Sequence, residues 1–443
     1  MKQEAFHYGS LEEVRRKLRE LGVCIPLSER TEILSRPLPV GGGEAHNRLA
    51  VQPMEGCDGE PDGSPGELTF RRYRRFAKGG AGLIWAEAVA VVPEGRANPR
   101  QLMLTEKNAG VFRKLVEEIK ETCYRENGFY PMIIMQETHS GRYSRPQGAS
   151  KPLAAYRRPG AEGEAVVSDD YLRRLEERYA ASARLAEHAG FDGADVKACH
   201  GYLVNELLSA HGRSGEYGGS FENRTRFLRD AVAAVRASVS RAFVVASRLN
   251  LYDGFPGSSG WGDGESGPDM SEPVRLVREL HGLGLGLLNC TAGNPYSNPH
   301  VNRPYDSGPY EPPEHPLAGV ARMCACAAEV KRLCPELPVI GSGNSYLRGF
   351  SSNQAAGMVE NGWADVAGFG RMAIAYPDFA SDLLKKGALD PRKCCVACSR
   401  CTQLMRAGSV AGCVVRDGDV YAPIYRRNVI ENPEDIAHRV SVL

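Results

Sequence analysis

Residues 190–209 read Gly-Phe-Asp-Gly-Ala-Asp-Val-Lys-Ala-Cys-His-Gly-Tyr-Leu-Val-Asn-Glu-Leu-Leu-Ser. A helix-like stretch, 168–190, closes on the glycine, a short apolar run at 193–197 follows, and the chain then turns polar. A strand ending this way delivers Lys197, His200 and Tyr202 to one rim, and with them a cation, an imidazole and a phenol. The same unit repeats on both sides. Further strand-like runs fall at 48–52, 82–92, 131–136, 243–249, 286–290, 337–341 and 364–369. Helix-like stretches lie between and after them at 67–78, 109–127, 222–240, 271–282, 319–333, 352–362 and 377–386. Ser168 with Asp169 and Asp170, and Ser271 with Glu272 and Pro273, are expected helix starts. Eight strand–helix units in register predict an α/β fold of the (β/α)8, or TIM, barrel type. An open sheet usually carries a glycine-rich phosphate turn after its first strand, whereas Val51-Gln52-Pro53-Met54 leads into no G-x-G-x-x-G.

The barrel is expected to span 45–388. Residues 1–44 form an N-terminal extension with a short amphipathic helix (Leu11, Val14, Leu18, Leu21) and a flexible end at Gly41-Gly42-Gly43. Two Gly/Pro/Asn-rich loops, 254–270 and 293–316, follow strands five and six. Since loops after barrel strands build the active face, both are expected at the substrate mouth. The charges balance, 55 basic against 54 acidic residues, so no global field favours nucleic acid or a membrane surface. No apolar run approaches the roughly 20 residues of a membrane helix. The N-terminus lacks the apolar core of a secretory signal, and the odd count of 13 cysteines does not suggest a disulfide framework. These features predict a cytoplasmic protein.

Residues 389–443 carry a separate signal. Read from Cys395, the cysteines follow C-x2-C-x2-C-x11-C through Cys398, Cys401 and Cys413, with Cys394 left over. Thiolates at this spacing suit tetrahedral zinc or an iron–sulfur cluster, and the spacing alone does not choose between them.

The 190–209 segment, continued by Glu216-Tyr-Gly-Gly-Ser-Phe-Glu-Asn-Arg-Thr-Arg-Phe, resembles the old yellow enzyme family of FMN oxidoreductases, in particular its 2,4-dienoyl-CoA reductase and trimethylamine dehydrogenase branch. The resemblance runs from about residue 47 to 415. It implies that Pro53, Met54 and Glu55 lie at the flavin end of strand one and Ala86 beside the flavin on strand two. It also implies that Gln136, in Gln136-Glu-Thr-His139-Ser-Gly141-Arg142, binds the pyrimidine edge, and that Arg248 faces N1 and O2. Gly343, Gly370 and Arg371 correspond to the phosphate sites of strands seven and eight. Glycine lets backbone N–H groups approach a phosphate closely, and arginine can pair it bidentately. The resemblance implies a [4Fe–4S] cluster on Cys395, Cys398, Cys401 and Cys413. It implies reduction of an activated C=C bond, with Tyr202 as proton donor and His200 and Lys197 polarising the carbonyl. An amine dehydrogenase of the trimethylamine dehydrogenase type, with Trp85, Tyr143 and Tyr296 as an aromatic cage, is the alternative. A redox subunit without its own substrate is a further one.

Two residues depart from the family pattern. Lys197 stands where relatives have the first histidine of a pair, and Glu55 where they often have Thr or Cys. A Glu55–Lys197 ion pair would account for both. The 443 residues contain no Rossmann fingerprint of the FAD- and NAD(P)H-binding module that full-length relatives carry. The resemblance therefore implies that electrons come from a separate flavoprotein or ferredoxin-like partner, or from NAD(P)H directly. A homo-oligomer is allowed, but no segment indicates one.

Overall fold

The computed structural model describes residues 4–158, 164–255, 257 and 259–431. The last residues of the C-terminal segment, the first three of the N-terminal extension and two positions of the 254–270 loop lie outside the described residues. Eight parallel strands close into a barrel: β1 (Leu49–Val51), β2 (Leu83–Ala90), β3 (Met132–Thr138), β4 (Gly193–Val196), β5 (Val244–Asn250), β6 (Leu287–Thr291), β7 (Val339–Gly341) and β8 (Val366–Phe369). The ring closes between β8 and β1, where Ala367, Gly368 and Phe369 face Leu49, Ala50 and Val51. After the strands come α1 (Glu67–Lys78), α2 (Ala109–Asn127), α3 (Asp169–His188), α4 (Phe221–Ser238), α5 (Ser271–Gly282), α6 (Pro316–Leu333), α7 (Ser351–Glu360) and α8 (Phe379–Lys386). The fold is a (β/α)8 barrel.

Two apolar layers hold it together. Ala50, Leu83, Trp85, Ile134, Val244 and Leu287 belong to the packed interior, and alternate residues such as Leu49, Ile84 and Ile133 pack outward with the helices. This alternation is the usual reason barrel strands read as continuous apolar runs. Leu38, Val40 and Ala45 join the interior layer from the N-terminal extension. They sit on a two-stranded antiparallel hairpin in which Leu38 pairs with Ala45 and Val40 with Gly43. The glycine run expected to be flexible is therefore a tight turn. Gly41 has φ +58°, and a Cβ at Gly42 would come within 2.7 Å of the Ala242 backbone. The expected helix is present at Leu11–Leu21, with Ser10 as its cap.

Ser168 caps α3, its Oγ accepting from Tyr171 N at 3.1 Å. Ser271 instead begins α5 from inside, and its backbone N–H is taken by Asp269 at 2.9 Å.

Candidate active site

At the C-terminal ends of the strands lies a cavity with about 1140 Å³ of empty space, its mouth included. Pro53, Met54 and Glu55 line it after β1, Gln136 from β3, Lys197, His200 and Tyr202 after β4, and Arg248 from β5. Gly343, Gly370 and Arg371 close the far side. Ala86 does not line it. The β2–β3 register shifts between Trp85 and Ala88, so that Ala88 pairs with Gln136 and faces the cavity while Ala86 packs in the outer layer. One bulge moves every later side chain of a strand. Of the two loops expected at the mouth, only 293–316 supplies lining residues among those described. The 254–270 loop folds around Asp263, whose carboxylate accepts from the backbone N–H groups of Gly254, Phe255 and Gly260.

The cavity floor is pinned by Asp195. Its carboxylate accepts from Trp85 Nε1 at 2.8 Å, Gln136 Nε2 at 2.7 Å and the Arg248 backbone N at 2.6 Å. Burial raises its pKa, and these three donors pull it back. A single interior carboxylate thus fixes both Gln136 and Arg248. It also holds Trp85 inside the barrel, so Trp85 cannot contribute to an aromatic cage in the cavity.

Above the floor, Lys197 places its Nζ 3.9 Å from the centre of the Tyr202 ring. Burial holds this ammonium below the usual lysine range, offset in part by Cys199 and Glu55. Tyr202 Oη lies 3.2 Å from Tyr296 Oη, and burial pushes the Tyr202 phenol well above its ordinary value. His200 adopts φ +67°, rare for a residue with a Cβ. Its Nε2 lies 3.3 Å from Thr291 Oγ1, and burial, with Arg248 and Lys197 nearby, keeps the imidazole neutral. Glu55 and Lys197 share the cavity, but no direct ion pair joins them among the described residues. The amide of Asn98 donates to Glu55 at 3.1 Å instead. Burial lifts Glu55 to about 7 against the attraction of Lys197.

The other end of the cavity is cationic. Arg371 donates to Pro304 O at 2.6 Å, while its second terminal nitrogen is buried without a partner. Arg303 lines the same wall and donates to Ser399 Oγ at 2.9 Å. Burial and the neighbouring Arg371 hold its guanidinium below the usual arginine range. Gly343 has φ +90°, a conformation that favours glycine. A buried guanidinium with an unsatisfied donor and a half-buried one, beside glycine backbone, form a cradle suited to a phosphate. The donor set thus fits FMN at both ends. Arg303 escaped the sequence reading because its loop has no readable motif.

Cys395, Cys398, Cys401 and Cys413 all line a separate small hollow of about 390 Å³, which Arg371 also borders. Ala397 and Ser399 take left-handed φ of 52° and 58°, winding the loop around it. Backbone N–H groups reach two of the sulfurs, Ala397 N to Cys395 Sγ at 3.4 Å and Arg416 N to Cys413 Sγ at 3.3 Å. Cys394 is fully buried, with its Sγ 3.3 Å from Asp390 O. Among the described residues, no group of three or more His, Cys, Asp or Glu is arranged to hold a metal ion. The segment is clamped to the barrel by Asp417, which accepts from Arg71 at 2.7 and 2.8 Å and pairs with Arg75. It also contributes Thr402, Met405 and Arg406 to the main cavity, a role the cysteine spacing did not reveal. No helix of the described residues is long and apolar enough to cross a membrane.

The sequence model of the NADH:flavin oxidoreductase / NADH oxidase family matches residues 34–390. The chain is 30% identical over 261 residues to the NADPH dehydrogenase of Clostridium acetobutylicum, covering 58% of this chain and 72% of that protein. It is 26% identical over 400 residues to the N,N-dimethylglycine/sarcosine dehydrogenase of Chromohalobacter salexigens, covering 86% of this chain and 52% of that longer protein. Among solved structures, 2-naphthoyl-CoA reductase superposes with a TM-score of 0.72 at 19% identity, over 87% of this chain and 57% of that one.

Proposed function

The chain belongs to the NADH:flavin oxidoreductase / NADH oxidase family, FMN oxidoreductases of the old yellow enzyme kind, and from that premise we propose that it reduces an activated C=C bond of an enone, enoate or enoyl thioester. The observation that carries this reading is the convergence of Tyr202, His200 and Lys197 on one cavity over the Asp195-pinned floor. Gln136, Arg248, Gly343, Gly370, Arg303 and Arg371 would hold FMN, which supplies hydride to the alkene β-carbon when bound.

The remaining work falls to side chains. Neutral His200 retains a ring N–H, and Lys197 its Nζ–H donors, to donate to the substrate carbonyl. Both favour the enolate-like charge that builds on that oxygen. Tyr202 stays protonated across the physiological range and gives its proton to the α-carbon. The phenolate left behind lies under Lys197, whose Nζ is 3.9 Å from the ring centre, and the new negative charge favours the charged form of that lysine.

Cys395, Cys398, Cys401 and Cys413 are proposed as ligands of a [4Fe–4S] cluster. Four thiols around a shared hollow suit a cubane, whose ligands are spread wider than those of one ion, and the two backbone N–H···S contacts suit its sulfurs. The electron donor would then be NAD(P)H, directly or through a flavoprotein or ferredoxin-like electron carrier. The amine dehydrogenase alternative is disfavoured by a specific contact pattern. Lys197 lies on the Tyr202 ring and Arg406 on the Tyr296 ring, 4.0 Å from its centre, so the protein's own cations occupy the faces that a substrate ammonium would need. Mixing reduced holoenzyme anaerobically with enones, enoyl thioesters and amines tests the reading. Reoxidation by alkenes is expected, and no reoxidation by any alkene would overturn it.

A further inference from the structure

Beside the active-site cavity lies a second chamber of similar size, also with about 1140 Å³ of empty space. The two share a wall of Glu55, Tyr296, Met405 and Arg406. On the far side of the second chamber stand Arg100 and Arg145, from the loops that follow β2 and β3. Many arginines of this protein are tied to a carboxylate, as Arg74 is to Glu118 and Arg173 to Glu216. Among the described residues, no hydrogen bond or ion pair engages the guanidinium of Arg100 or Arg145. Among the described residues, Arg406 is engaged by the Pro295 carbonyl and the Tyr296 ring. Among the described residues, Glu55 is the one acid lining the chamber; it accepts from Asn98, and burial lifts it to about 7, so it stays largely protonated below neutral pH. Among the described residues, the chamber lining thus sets three guanidiniums against one carboxyl group, beside the reaction site. Arg100 is exposed and Arg145 half-buried, so water reaches both, but three guanidiniums around one chamber suit an anion better than a neutral group.

Resting on the alkene-reductase reading, we propose that the substrate is an anion. Its alkene occupies the first chamber, and a carboxylate or phosphate remote from the reacting bond lies between Arg100 and Arg145 in the second. Arg406, on the shared wall, marks the passage between them.

Matched probes test this on the holoenzyme. Cinnamaldehyde and 4-carboxycinnamaldehyde differ only in a remote carboxylate, and the crotonyl thioester of phosphopantetheine carries a remote phosphate. Arg100→Met and Arg145→Met should each raise KM about tenfold for the probe whose anion the chamber holds, the loss expected for one charge-assisted hydrogen bond. They should leave kcat, and both constants for cinnamaldehyde, within about twofold. The preferred anion, carboxylate or phosphate, identifies which source the chamber serves, and its affinity should fall as salt rises. An equal effect on cinnamaldehyde, no effect on either anion, or an effect confined to reduction by NADPH would overturn the proposal. Should no alkene reoxidise the enzyme, calorimetric titration with 4-carboxybenzaldehyde and benzaldehyde separates the two claims. A preference for the acid that both substitutions abolish supports the chamber, and the absence of any preference overturns it.

Discussion

Replacing Glu55 by Gln should stabilise the protein at alkaline pH and not in acid. Burial disfavours the Glu55 carboxylate, Lys197 offsets part of that, and Glu87 adds to it, moving its pKa from 4.5 to about 7. A pKa raised on folding means that the native state holds its proton more tightly than the unfolded chain. The favourable contribution is therefore complete below about pH 4.5 and is lost as pH rises towards 7. At 1.36 kcal/mol per pH unit, the whole effect is about 3 kcal/mol. Unfolding a chain of this length releases roughly 0.9 kcal/mol/K, so the melting temperature of Glu55→Gln relative to wild type should climb by about 3 °C between acid and alkaline pH. Differential scanning calorimetry of both holoenzymes from about pH 5 to pH 9 measures it, and titrations common to the two proteins cancel in the difference. A constant offset would report only the altered hydrogen bond to Asn98, because the slope carries the argument. A difference that stays flat with pH, or falls, would refute it.

Three other outcomes follow from the same geometry. Arg371→Ala should weaken FMN retention by about 1.5–3 kcal/mol, from the loss of a charge-assisted phosphate contact, with little change in turnover of the enzyme that remains loaded; flavin release on dilution measures this, and released FAD would contradict the cofactor assignment. Substituting Cys395, Cys398, Cys401 or Cys413 by Ala should deplete iron and labile sulfide, whereas Cys394→Ala, a buried thiol turned towards Asp390, should keep both; the reverse pattern for Cys394 and Cys395 would shift the ligand register by one. Lys197→Met should slow alkene reduction about 10- to 100-fold without loss of FMN, the loss expected for one cationic donor, and Lys197→His should restore part of the rate towards simple enones.

Most of the barrel was legible because its strands are buried on both faces and its helices are amphipathic. The 82–92 run became Leu83–Ala90 and the 109–127 stretch Ala109–Asn127 with small or no change at the ends. Side-chain direction was less legible. The bulge after Trp85 depends on how β2 and β3 pair, a non-local property, so Ala86 was expected where Ala88 lies. The Glu55–Lys197 pair was inferred from two departures on one rim, but sequence carries no distances, and Asn98, reached through the loop after β2, competes for the carboxylate. Gly41-Gly42 looked like a linker because glycine serves loose and tight backbone alike, and only packing against Ala242 shows which. Arg303 and Arg406 enter the cavity from a long loop and from the cysteine segment, neither of which has a periodicity to reveal its facing. The strand-end residues that the sequence did bring together are those a barrel topology must gather at one rim.

The claim that this site protonates a reduced alkene rests most heavily on Tyr202. Rapid mixing of pre-reduced wild-type and Tyr202→Phe holoenzymes with cinnamaldehyde, alongside reduction of the oxidised enzymes by their electron donor, isolates that step. The account predicts reoxidation slowed by about 10²–10⁴-fold, the range for loss of a general acid, with donor reduction nearly unchanged. Equal slowing of both half-reactions, or reoxidation at the wild-type rate, would contradict it.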